Sequence, residues 1–194
     1  AQPAVAAAAL RAAVEAFEAA LAALDQSAPT VERAALLHDL GGALVAWLHA
    51  PGDSAPPDPS QALARAIGAL VGAAEIQQAQ NDSAGLASTF LALGDAYLCV
   101  TSADARTRAA ECYRRAALYA HATDDRPSFA RAQFNLAGVI LDGAAQPPAE
   151  ALQEAAGALR LAGRVYTAAA YPAQHRAVQR NLRIARAKLK GVRP

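Results

Sequence analysis

The chain has 194 residues, of which 57 are alanine, 54% hydrophobic, 18% charged and 5% aromatic, with no methionine. That is too apolar for a disordered tail, and abundant alanine with scarce valine and isoleucine excludes an all-β fold. The formal net charge is +1, but residues 1–154 carry all 17 acids and 9 of the 18 bases, and residues 155–194 carry the other 9 bases and no acid. Such asymmetry marks an interaction surface, a polar assembly contact, or a basic terminal helix facing water.

The first predicted helix covers 4–25. Arg11, Glu15 and Glu18 interrupt its alanines, so no run reaches the ~20 apolar residues of a membrane span, and no membrane insertion is expected. Ser27-Ala28-Pro29 reads as a turn, followed by a helix at 30–49 with Thr30 as a candidate N-cap. Trp47 near its end is expected to plug against the Pro-rich loop 51–59. Helices at 60–80 and 84–101 follow, with Ser60 and Ser83 as candidate caps and Asn81-Asp82-Ser83 as the turn between them. A helix at 104–122, with Asp104 as candidate cap, leads through Asp124–Pro127 to a helix at 127–142. The last two helices are expected at 147–169 and 173–190, separated by Tyr171-Pro172.

These eight helices repeat. Arg33–Leu44, Leu86–Tyr97, Phe129–Ile140 and His175–Arg186 align without gaps on Leu40, Leu93, Leu136 and Leu182, spaced by 53, 43 and 46 residues. Before each lies an Ala-x3-large-x2-Ala segment: Ala13/Phe17/Ala20, Ala66/Leu70/Ala73, Ala109/Tyr113/Ala116 and Ala155/Leu159/Ala162. The last alanine of each precedes the key leucine by 20 residues in all four copies. Residues three and four apart share a helical face. Small residues there admit a neighbouring helix, and the large one fills the gap between. The sequence therefore predicts an all-α array of antiparallel helix hairpins filling 1–194 as one domain, with an N-terminal helix at 1–25, stacked hairpins over 30–169 and a C-terminal cap at 173–190. Leu182 is followed by Arg183 where the other copies have Gly41, Gly94 and Ala137. A small residue is needed there only under a closely packed helix, so Arg183 is expected to be exposed.

These segments resemble the tetratricopeptide repeat (TPR). Phe90-x-x-Leu93-Gly94-x-x-Tyr97 matches the family's first helix fully; Leu37-x-x-Leu40-Gly41-x-x-Leu44 and Gln133-x-x-Leu136-Ala137-x-x-Ile140 match it in part. Ala109-x3-Tyr113-x2-Ala116 matches its second helix. The resemblance covers about residues 10–190 and is nearest to long-period bacterial arrays with Gln-x-Asn-Leu first helices, as in Gln133-x-Asn135-Leu136 and Gln179-x-Asn181-Leu182. The period exceeds the usual ~34 residues. The resemblance implies a right-handed α-solenoid of about four hairpins with a concave groove that binds a peptide or helix of a partner protein. It places His38, Asp39 and Gly42, then Leu91, Ala92 and Asp95, then Arg131, Phe134, Asn135 and Gly138, then Arg180, Asn181 and Ile184 toward that groove. His38, Asp95, Arg131, Phe134, Asn135, Arg180 and Asn181 are the candidate partner-binding residues. The asparagines would hold a peptide backbone, and the arginines would pair with acidic side chains.

Arg176, Arg180 and Arg183 form a basic stripe at i, i+4 and i+7, which Lys188 and Lys190 could extend. Without interleaved aromatics, the stripe favours an acidic protein or another copy's acidic region over nucleic acid. No histidine stands in a metal-binding spacing, and His38-Asp39 are adjacent on a helix and diverge by about 100°. Gly41-Gly42 lies within a helix, not in a phosphate-binding loop. A non-enzymatic role without catalytic residues, metal or cofactor is expected. The principal alternative is a structural subunit or homo-oligomer joined through the acidic body and basic terminal helix. Cys99 and Cys112 are expected to remain unpaired and to favour the cytoplasm, whereas the start Ala1-Gln2-Pro3 would also fit an exported mature chain; the resemblance also implies that the array could be one domain of a longer regulatory protein.

Overall fold

The computed structural model describes residues 2–24, 29–143 and 147–191. Among them are eight α-helices and no strand: α1 Gln2–Ala23, α2 Val31–Leu48, α3 Pro59–Ala79, α4 Ser83–Tyr97, α5 Ala103–Ala122, α6 Arg126–Gly143, α7 Ala149–Val165 and α8 Pro172–Gly191. A single 3-10 turn, Gly52–Ser54, lies between α2 and α3. The expected turn residues Ser27 and Ala28, and the stretch 144–146, lie outside the described residues. No described helix is long and apolar enough to cross a membrane.

Each helix packs against its neighbours in sequence, and α2, α4, α6 and α8 also touch one another in that order. The key leucines sit alike: Leu40 and Leu182 are 7% exposed, Leu93 and Leu136 3%. Leu70, Tyr113 and Leu159 are wholly buried, as are the alanines flanking each of them. Glycine makes the close contacts. A Cβ on Gly41 would collide with Leu70 Cγ, and one on Gly94 would lie 2.5 Å from Tyr113 Cε1. Real Cβ contacts are not this short, so α2 meets α3, and α4 meets α5, at a separation only glycine permits. Arg183 is exposed on α8, as expected for a position with no helix packed over it. Phe17, the α1 counterpart of Leu70 and Tyr113, is only half-buried.

The constant 20-residue offset has a local cause in two copies. Asn81 and Asp124 adopt positive φ, 56° and 53°, immediately after the C-caps of α3 and α5. The amides of Asn81 and Asp82 donate to the carbonyls of Gln78 and Gln77; those of Asp124 and Asp125 donate to His121 and Ala120. This is the paired hydrogen bonding of a Schellman terminus. Asp82 and Asp125 then cap the next helix, accepting from the amides of Gly85 at 2.9 Å and Ser128 at 3.1 Å. The period varies instead in the connections 49–58, 98–102 and 144–148. In the first of these Trp47 Nε1 donates to the Ser54 carbonyl at 2.9 Å, the plug the sequence suggested.

Several local expectations are corrected. Thr30 caps α2, but Asp58, Asp82 and Ser102 cap α3, α4 and α5 in place of Ser60, Ser83 and Asp104. Pro59 suits the first helical position and moves the cap one residue upstream of itself. Asp104 lies inside the first turn and pairs with Arg108 at 2.9 Å. Helix α4 ends at Tyr97, not 101, and α7 ends at Val165, not 169. The alanines at 168–170 form a turn because Thr167 Oγ1 accepts from the Ala170 amide at 3.2 Å and the Thr167 carbonyl accepts from Tyr171 at 2.9 Å. A side chain that bonds the nearby backbone competes with helix continuation. The rings of Tyr166 and Tyr171 meet edge to face at 5.4 Å and close the turn.

Candidate functional site

A depression of about 600 Å³ runs across α2, α4 and α6. His38, Gly42, Val45 and His49 line it from α2 and its C-cap; Leu91, Ala92 and Asp95 from α4; Ser128 and Arg131 from α6. These elements converge because the even-numbered helices pack in succession. Of the candidate residues, His38, Asp95 and Arg131 line the depression together, and Asn135 is tied to them through Asp95.

Asp95 is the centre of this arrangement. Its Oδ1 accepts from the Tyr113 hydroxyl at 2.6 Å and from Asn135 Nδ2 at 3.3 Å, and its Oδ2 accepts from Arg131 Nη2 at 2.5 Å. Gly94 makes this possible, since its missing side chain lets the buried phenol slide across α4 to reach the next residue. Burial pushes the Tyr113 hydroxyl well above the usual phenol range, and the Asp95 charge and hydrogen bond push it further, so the phenol is a neutral donor. Arg131 remains about half exposed, with a side-chain accessibility of 53%. It therefore carries spare N–H groups at the rim of the depression.

His38 Nδ1 lies 3.0 Å from Thr89 Oγ1, and Thr89 is completely buried. Burial lowers the imidazole pKa from its usual value, and neighbouring Asp39 opposes this more weakly. The ring is neutral near pH 7. Asp39 itself is exposed. The other histidines have local structural contacts. His49 Nδ1 donates to the Val45 carbonyl at 2.8 Å, His175 Nδ1 donates to the Tyr166 carbonyl at 3.0 Å, and His121 packs on Phe129. Among the described residues, no three His, Cys, Asp or Glu side chains are grouped as metal ligands. Cys99 and Cys112 are free thiols, and burial pushes Cys112 up to about 11.

The remaining candidates lie apart from the depression. Phe134 is half-buried against the core, Asn181 is half-buried on α8, and Arg180 is exposed there. Arg176, Arg180 and Arg183 share the outward side of α8. Lys188 leaves the stripe, because its Nζ donates to the Leu141 carbonyl at 2.7 Å and ties α8 to the last turn of α6. A cation there also meets the negative end of the α6 dipole.

Sequence reasoning missed Tyr113 and Thr89 as parts of the site. Tyr113 was readable only as a core residue, yet a tyrosine where the other copies carry phenylalanine or leucine signals a hydroxyl that needs a partner. Compared with known proteins, the chain matches no family model and no curated protein.

Proposed function

We propose that the chain is a non-enzymatic protein-interaction module, built as a right-handed stack of TPR-like hairpins, that binds a peptide or helix of a partner protein across α2, α4 and α6. One observation carries this reading: residues far apart in sequence, His38, Asp95 and Arg131, share one open depression beside the apolar Val45, Leu91 and Ala92. Apolar lining with a few fixed polar groups suits side-chain anchoring plus backbone hydrogen bonding. Asp95 is saturated by its own neighbours, so it acts as a brace that aims Arg131 and Asn135. Arg131 offers its free N–H groups to a carbonyl or carboxylate of the partner.

Gly42 gives a clean test. It lines the depression, and nothing lies within 4 Å of where its Cβ would be. Gly42→Leu therefore fills the depression while improving helix propensity. Gly68→Leu is the control, since Gly68 is equally unobstructed on α3 and does not line the depression. Proteins retained from the native source by the parent chain and by Gly68→Leu should be lost with Gly42→Leu. Equal retention by all three removes the groove reading.

A further inference from the structure

The residue three before the key leucine is Leu37 in α2, Phe90 in α4 and Gln133 in α6. In the first two it packs on the helix that follows. A Cβ on Gly72 of α3 would touch Leu37 Cδ1 at 3.4 Å, so Leu37 lies directly over that glycine. The Phe90 ring is 5% exposed, stacked with Tyr119 at 5.8 Å and covered by the Arg115 guanidinium at 4.0 Å, both from α5. Gly72, Arg115 and Leu161 stand in one register, two residues beyond Leu70, Tyr113 and Leu159; Tyr119 and Val165 share the register six beyond Tyr113 and Leu159.

In the third copy the ring is missing, and so are its covers. Gln133 replaces Phe90, and Leu161 and Val165 replace Arg115 and Tyr119. A recess of about 620 Å³ opens there between α5, α6 and α7. Leu118 of α5, Gln133 and Leu136 of α6, and Gly157, Ala158 and Leu161 of α7 line it, and Leu118 is 66% exposed. The charged residues in its lining, Arg114 and Glu154, are bonded to each other at 2.7 and 3.0 Å, so the recess suits an uncharged occupant. The Gln133 side chain makes no hydrogen bond with any described residue. Its amide has both a donor and an acceptor to offer. None of these residues lines the depression of α2, α4 and α6.

We propose that this recess binds one uncharged aromatic ring with a hydrogen-bonding group on its edge, a phenol or an indole, held where Phe90 lies in the preceding copy. The ring covers Leu118, Leu136 and Leu161, and its O–H or N–H donates to Gln133 Oε1. A plain phenyl ring would match the apolar lining but cover the amide without pairing it, so the rings with a polar edge are preferred. The site is separate from the proposed partner groove and stands without it.

Two-dimensional amide NMR of the 194-residue chain, titrated with p-cresol and 3-methylindole, tests this. Both should move the amides of residues 117–121, 133–136 and 157–161 saturably, with cyclohexanol roughly tenfold weaker. p-Cresol should bind more tightly than toluene in the parent chain and lose that advantage in Gln133→Leu. Gln133→Phe supplies the ring from within, so it should raise the melting temperature and abolish the shifts. Gly157→Leu, at a position whose Cβ meets open space, should block the recess, whereas Gly68→Leu in the same register of α3 should not. N-acetyltyrosinamide and N-acetyltryptophanamide separate the sources of the ring. Tighter binding than the free rings assigns it to a protein side chain; equal or weaker binding assigns it to a free compound. Shifts confined to other amides, cyclohexanol or toluene binding as tightly as p-cresol, a Gln133→Phe chain that melts below the parent, or shifts that persist in both Gln133→Phe and Gly157→Leu would overturn the proposal.

Discussion

Asp95 is where α4, α5 and α6 are tied together, through Tyr113, Arg131 and Asn135. Replacing it strands a fully buried phenol. Asp95→Ala should cost about 2–4 kcal/mol in chemical denaturation, because an unsatisfied buried hydroxyl adds its desolvation to the lost charge-assisted hydrogen bond. Tyr113→Phe removes the hydroxyl together with its need for a partner and should cost less, about 1–2 kcal/mol. Equal losses would mean that the hydroxyl is not the buried group at stake. His38 gives a pH signature. Its pKa in the fold lies below the unfolded value of 6.5, so the unfolded chain binds more protons and stability falls as pH drops below about 6.5. Melting temperature followed from pH 7.5 to 5.5 should decline in the parent chain and flatten in His38→Gln. An identical decline in both would assign the effect to other groups. At this scale the sequence was partly legible. The tetratricopeptide resemblance implied that His38, Asp95 and Arg131 face one groove, and the three do line one depression. It could not show Tyr113 reaching Asp95, because that contact depends on how closely α5 approaches Gly94.

Glycines test the packing of whole elements. Adding a methyl to a helix interior favours the helix by up to ~1 kcal/mol, and space decides whether that gain survives. Gly138 in α6 has nothing within 4 Å of its Cβ position, whereas Gly94 faces the rigid ring of Tyr113 at 2.5 Å. Gly138→Ala should therefore raise the melting temperature, and Gly94→Ala should lower stability by about 1–3 kcal/mol through overpacking. The same sign at both positions would contradict the close α4–α5 contact. Helix existence and order were readable from periodicity and turn residues, but helix ends were not. Helix-forming alanines at 168–170 gave no hint that Thr167 would bond the Ala170 amide and stop α7 at Val165. Ser60, Ser83 and Asp104 all looked like caps, and each was displaced by a better-placed neighbour one or two residues upstream.

Across the molecule, the variation in repeat spacing lies in the connections 49–58, 98–102 and 144–148, while the connections leading into α4 and α6 share one Schellman-plus-aspartate turn. Insertions confined to connections leave the helical registers intact. That explains why unequal spacings of 53, 43 and 46 residues still place Leu40, Leu93, Leu136 and Leu182 in matching buried positions. What the sequence could not supply is the occupant of the depression, because that information resides in the partner's chemistry. Site-specific photocrosslinking reads it directly, with a photoreactive amino acid placed at position 42 or, as control, at position 68, and the chain irradiated in extract of its native source. The account predicts a discrete protein adduct from position 42 and none from position 68. Adducts at 68 alone, equal labelling at both positions, or no adduct at 42 would contradict it.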